Sequence, residues 1–280
     1  MPYFRRPGKP DIFYEIDDYT DPWKPAPTIL LQHGAARSSL FWRAWVPYLS
    51  RFYRVLRPDL RGLGRSGKHQ AADCGINFQG YRDDLIDLLD HLGIESVHYC
   101  GESSAGTLGM VLAAQCPERV RTLSLVSAPV SMSEEDKTSA LGGYANRIEA
   151  LRNLGCRGWL EASNAGRRFP ADADPAMLAW SLAEMGKTDV EVMIAIFQWA
   201  SQVDARPSLP KISAPVLGLY PASGIIATDV HVDLLKQLVR NVRIVRVASR
   251  AHSLQVVHPA LCAREVLYFI AQCDGIACRE

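Results

Sequence analysis

The stretch from Val97 to Met110 limits what this chain can fold into more than any other. Val97-His98-Tyr99-Cys100 is a short β-run, Gly101 to Gly106 is a run of mostly small residues, and Thr107-Leu108-Gly109-Met110 opens an apolar helix. A strand that passes straight into a helix must turn sharply. The backbones then approach so closely that only small side chains fit two positions before and two after the residue at the tip. Gly101 and Ala105 meet that requirement around Ser103, with Gly106 behind. Ser103 is therefore predicted to stand in a strained backbone conformation at the tip of a sheet. Taken alone, the string also describes a serine that caps a helix N-terminus.

The rest of the chain repeats the strand-then-helix rhythm. Tyr3 to Arg6 and Ile12 to Ile16 read as a hairpin-like opening, and Thr28-Ile29-Leu30-Leu31-Gln32 as a strand covered on both faces. That run ends in His33-Gly34-Ala35-Ala36-Arg37. A further strand, Tyr53 to Arg57, leads into Pro58-Asp59-Leu60-Arg61-Gly62-Leu63-Gly64-Arg65-Ser66. The glycines permit a compact loop that Asp59 and Arg61 would tie down; no Gly-Lys-Ser/Thr at P-loop spacing is present. Leu85, Ile86, Leu88, Leu89 and Leu92 recur at helical spacing before Gly93. Val120 to Val126, Ala214 to Tyr220 and Val242 to Val247 read as buried strands, and a terminal helix runs from His258 to about Gln272. Such alternation with right-handed crossovers gives a mostly parallel sheet of about eight strands with helices on both faces.

Between Ser131 and Lys211 the rhythm stops. Helices are predicted at 139–154, 158–163, 175–185 and 190–202, so the chain divides into a core, 1–130 with 212–280, and an inserted helical cap, 131–211. Trp159, Phe169, Trp180, Met185, Met193, Phe197 and Trp199 could line a pocket under it, although packing accounts for most such residues. Length allows one large core plus such an insert. The 31 basic and 30 acidic side chains leave a net charge of +1 and no long run of one sign, which points away from nucleic acid and from anionic membrane surfaces. Seven scattered cysteines without a Cys-x-x-Cys pair suit reduced thiols in a cytoplasm and supply no zinc site. No early apolar run suggests a signal peptide or membrane span.

Gly101-x-Ser103-x-Ala105, strand-His33-Gly34, Asp59-x-Arg61-Gly62-x-Gly64-x-Ser66 and a histidine, His252, after the last strand occur here in the order of the α/β-hydrolase superfamily, which the chain resembles. The resemblance implies an α/β-hydrolase fold with a helical cap, Ser103 as nucleophile, His252 as base, and backbone N–H groups of Ala35 and Ser104 as the oxyanion hole. It implies no cofactor and no metal, and His33 would hold its turn rather than act as a base. The partner is a small-molecule substrate; a homodimer stays open.

The chain departs from the family at the third triad member. The acid is expected near Ser223 or Gly224, yet Pro221 to Thr228 contains no carboxylate, and Asp229 stands at a helix start. The alternative place, Val126-Ser127-Ala128-Pro129, has none either; Glu134, Glu135 and Asp136 lie further on. Glu102, beside the nucleophile as in cholinesterase-like carboxylesterases, is left as an acid or electrostatic partner. Arg37, Lys187 and Arg250 could each meet a substrate carboxylate. The leading expectation is a hydrolase of a small ester, lactone or activated C–C bond. Two others compete with it: a lyase resembling plant hydroxynitrile lyases, and a hydrolase-fold binding protein with little turnover.

Overall fold

The computed structural model describes residues 3–68, 75–132, 143–164 and 168–278. Eight strands form one sheet: β1 (Tyr3–Phe4), β2 (Ile12–Asp17), β3 (Thr28–Gln32), β4 (Arg54–Pro58), β5 (Val97–Glu102), β6 (Val120–Val126), β7 (Val216–Pro221) and β8 (Val242–Val247). Their order is β1-β2-β4-β3-β5-β6-β7-β8. The β1–β2 and β2–β4 pairs are antiparallel and every later pair is parallel.

Side chains of the central strands alternate between two buried layers, which is why these strands read as unbroken apolar runs. Leu30, Leu56, Tyr99, Leu123 and Leu125 face one way, under α2 (Phe78–His91), α3 (Ser104–Gln115) and α7 (Asp229–Leu238). Ile29, Leu31, Val55, Cys100 and Val126 face the other, against Trp42, Trp45, α1 (Val46–Leu49) and α9 (Pro259–Asp274). A short helix, α8 (Leu254–Val257), precedes α9. Asn77 caps the start of α2, its side chain accepting from the Gly80 N–H.

Between β6 and β7 the sheet is interrupted by α4 (Arg147–Asn164), α5 (Pro175–Met185) and α6 (Val190–Gln202). The break predicted between 154 and 158 is present within α4: Gly155 has a non-helical φ of 69° and ψ of 173°, so two helical stretches meet there at a kink. Residues 139–142, like Glu134, Glu135 and Asp136, lie outside the described residues. Val192, Ala195, Ile196 and Trp199 of α6 pack on Leu63, Tyr81 and Leu108, fixing the inserted helices over the carboxyl ends of the strands. No described helix is long and apolar enough to cross a membrane.

Candidate active site

Ser103 sits between β5 and α3 with φ 54° and ψ −126°, a left-handed conformation that a side chain rarely adopts. Its N–H donates to the Val126 carbonyl at 3.0 Å and its own carbonyl accepts from Gly106 N at 2.9 Å. A Cβ on Gly101 would lie 2.6 Å from the Ala105 carbonyl oxygen, and one on Gly106 would run into Ala128. The small residues are thus a steric requirement of the turn.

The loop after β8 brings His252 to this tip, with Nε2 3.0 Å from Ser103 Oγ. His252 is buried, and its Nδ1 has no hydrogen-bond partner among the described residues. Burial pushes the imidazole well below the ordinary histidine range, and the positive charges of Arg37 and Arg168 push it the same way. It is therefore a neutral ring at neutral pH.

Glu102 is fully buried beneath the pair. Its Oε2 accepts the Gly34 N–H at 3.1 Å and lies 3.4 Å from Arg37 Nη1, while Oε1 lies 3.7 Å from His252 Nε2. Burial raises the carboxyl above the usual range; Arg37, the Gly34 N–H, Arg168 and Gln255 draw it back. Glu102 therefore approaches the nitrogen that faces Ser103, not Nδ1, where a triad acid would bind. Arg37 does line the cavity, but it is buried and bonded to Ser253 Oγ at 2.8 Å and the Ala35 carbonyl at 3.3 Å, with Glu102 as its counter-charge. Its guanidinium is thus ion-paired with the protein's own carboxylate.

His33 Nδ1 meets the Gly34 carbonyl at 2.9 Å and Nε2 accepts from Leu60 N at 3.0 Å, a neutral tautomer that pins the turn carrying Ala35. Burial lowers its pKa. Asp59 accepts from Ser39 N and Arg65 N, and Arg61 grips Asp84 with two bonds of 2.6 and 2.7 Å. Asp229 pairs with Arg246 instead of facing His252. Lys187 pairs with Glu184, and neither it nor the exposed Arg250 lines the cavity.

Ser103, Ser104, Ala35 and His252 open onto a cavity of about 140 Å³ beneath α4 and α6. Of the seven large side chains named between Ser131 and Lys211, those of Trp159, Met185, Met193 and Phe197 line it; Phe169, Trp180 and Trp199 pack elsewhere. Sequence reasoning missed Arg147 and Arg168, which also line it. They lie in the insert, where no motif marks a position. Among the described residues no cluster of His, Cys, Asp and Glu could hold a metal ion.

Residues 27–163 match the family model described as the alpha/beta hydrolase fold. RutD of Agrobacterium fabrum, named as a candidate carbamate hydrolase, is 28% identical over 94% of this chain and 99% of its own. A 2-hydroxymuconate semialdehyde hydrolase from Pseudomonas sp. strain CF600 is 33% identical over 45% of each chain. The enol-lactonase of Burkholderia xenovorans LB400 superposes with a TM-score of 0.85 at 25% identity, over 96% of this chain and 100% of that one.

Proposed function

The chain belongs to the α/β-hydrolase superfamily and is a hydrolase, and on that premise we propose that it is a cofactor-independent serine hydrolase of a small ester, lactone or activated carbon–carbon bond. The observation that carries the reading is the 3.0 Å contact between Ser103 Oγ and His252 Nε2 at the floor of the cavity. Ser103 donates its proton to the neutral imidazole as its oxygen attacks the substrate carbonyl. The oxyanion that forms is held by the N–H groups of Ala35 and Ser104; one such donor is worth about 3–4 kcal/mol of barrier. His252 then returns the proton to the leaving group, and a water activated by the same ring releases the acyl group from Ser103. Glu102 supplies the negative charge that favours the transient imidazolium, and residues 131–211 form the cap that selects the substrate.

The test is labelling with a neutral fluorophosphonate followed by peptide mass spectrometry. Labelling on Ser103 in the wild type, absent in Ser103→Ala, is the expected result. A folded protein that stays unlabelled refutes the reading. An aldehyde or ketone product formed without consumption of water would assign the chain to lyase chemistry instead.

A further inference from the structure

In a serine–histidine–carboxylate triad the carboxylate has two tasks at Nδ1: it holds the imidazole in place, and it stabilises the charge that the ring acquires. Here Nδ1 of His252 has no partner among the described residues. Glu102, on the side of Nε2, can serve only the second task. The first belongs to other groups. His252 is held through the chain around it: Ala251 N–H donates to Ser249 Oγ at 3.1 Å, Ser253 N–H donates to the Arg168 carbonyl at 3.0 Å, and the Gln255 carbonyl accepts from Trp45 Nε1 at 3.0 Å. One further bond ties this segment to the rest of the site. Arg37 Nη2 donates to Ser253 Oγ at 2.8 Å, and both residues are buried. Arg37 Nη1 donates to the Ala35 carbonyl at 3.3 Å and lies 3.4 Å from Glu102 Oε2. A single guanidinium thus joins the oxyanion turn, the residue before the nucleophile and the residue after the base.

We propose that Arg37 and Ser253 form a clasp that positions His252 in place of the missing triad carboxylate. A guanidinium is planar and rigid, so its two terminal nitrogens keep their partners at fixed mutual distances. The charge of Arg37 opposes the imidazolium, so whatever the side chain contributes to the reaction is geometric. Both are positioning residues, acting through His252 and Glu102 and not on the reacting atoms. Opening the clasp frees the chain one residue from the base, and a misplacement of about 1 Å at a reacting group costs on the order of 10²-fold in rate. The inference rests on the serine-hydrolase reading and adds to it the groups that set the geometry of its base.

Two variants open the clasp without changing the charge of the site. Ser253→Ala removes the acceptor, and Arg37→Lys keeps a cation beside Glu102 but loses the fork. With 4-nitrophenyl acetate, each lowers kcat by about tenfold to a hundredfold with little change in KM. Each also slows labelling of Ser103 by a neutral fluorophosphonate by a similar factor. The acid limb of the kcat profile stays where it is, because every charge remains. Combining the two costs no more than Arg37→Lys alone, since both remove the same contact, and Ser253→Thr, which keeps the hydroxyl, retains more of the rate than Ser253→Ala. A merely structural role predicts a lower denaturant midpoint with wild-type kcat in the folded protein; that result in Ser253→Ala overturns the clasp. Losses that multiply in the double variant, or an acid limb displaced in either single one, overturn it too. Should Ser253→Ala fail to fold, Arg37→Lys decides on the same readouts. Where wild-type Ser103 is labelled and the ester is hydrolysed, these failures belong to the clasp alone. A folded wild type that is neither labelled nor active would remove the serine-hydrolase reading and the clasp together.

Discussion

Glu102→Gln separates the two tasks assigned to the buried carboxylate. The amide keeps the shape and can still accept the Gly34 N–H, so the perturbation is the loss of one charge. Arg37 then stays buried without its counter-charge, which should cost about 3–5 kcal/mol of folding stability. The catalytic effect follows from the 3.7 Å between Glu102 Oε1 and His252 Nε2. At an effective dielectric near 20 that distance gives about 4 kcal/mol of attraction for an imidazolium. Arg37 also opposes the imidazolium and stays in the variant, so nothing offsets that loss. A loss approaching about 4 kcal/mol, on the order of 10³-fold in kcat, is expected. The sign of the pH effect is also fixed. Removing a negative charge disfavours the imidazolium, so the acid limb of the kcat profile moves to lower pH while the plateau falls. Steady-state ester hydrolysis across pH, with circular dichroism as the fold control, reads both. Adding Arg37→Met removes the stranded charge and should recover stability and, because Arg37 opposes the imidazolium, part of the rate. Wild-type kcat with an unmoved acid limb in a folded Glu102→Gln protein would refute the catalytic part and leave Glu102 as a packing residue.

Gly34→Ala probes the oxyanion turn: the added Cβ would lie 2.7 Å from Glu102 Oε2 and 3.0 Å from Ser103 Cβ. Displacing that turn should lower kcat by about 10²–10³-fold with a smaller change in KM; near-wild-type kcat would show that Ala35 N–H takes no part. Stability should fall on mild acidification, because His33, His98 and His252 all have pKa values lowered by burial. The unfolded chain then binds more protons, so the loss begins near the ordinary histidine value of about 6.5 and continues down through the folded values. With all three contributing, the slope approaches about 4 kcal/mol per pH unit, and a denaturant midpoint that is flat between pH 6.5 and 5 would contradict it.

The strands and the elbow could be read from the sequence because each rule involved is local. A strand buried on both faces must be apolar throughout, and a turn as tight as 101–106 must be built of small residues. The pairing of Arg37 with Glu102 is not local. It arises because β3 and β5 are neighbours, with Gln32 opposite Gly101, so the turns leaving both strands emerge side by side. The sequence offered Arg37 first, with Lys187 and Arg250 beside it, as candidates for a substrate carboxylate. Only the fold shows that the first faces Glu102 and that the other two stand away from the cavity. Arg168 and Arg147 were invisible for the opposite reason: a helical insert has no fixed register on the sheet, so its sequence does not say which side chains turn inward.

The electrostatics of the proposed site set the class of acyl group it can turn over. When Ser103 attacks, the proton must go to an imidazole whose charged form is opposed by burial, by Arg37 and by Arg168. Nδ1 has no acceptor among the described residues to help, and Glu102 acts from the other nitrogen. Such a base is weak, which suits acyl groups whose leaving group is stable as an anion.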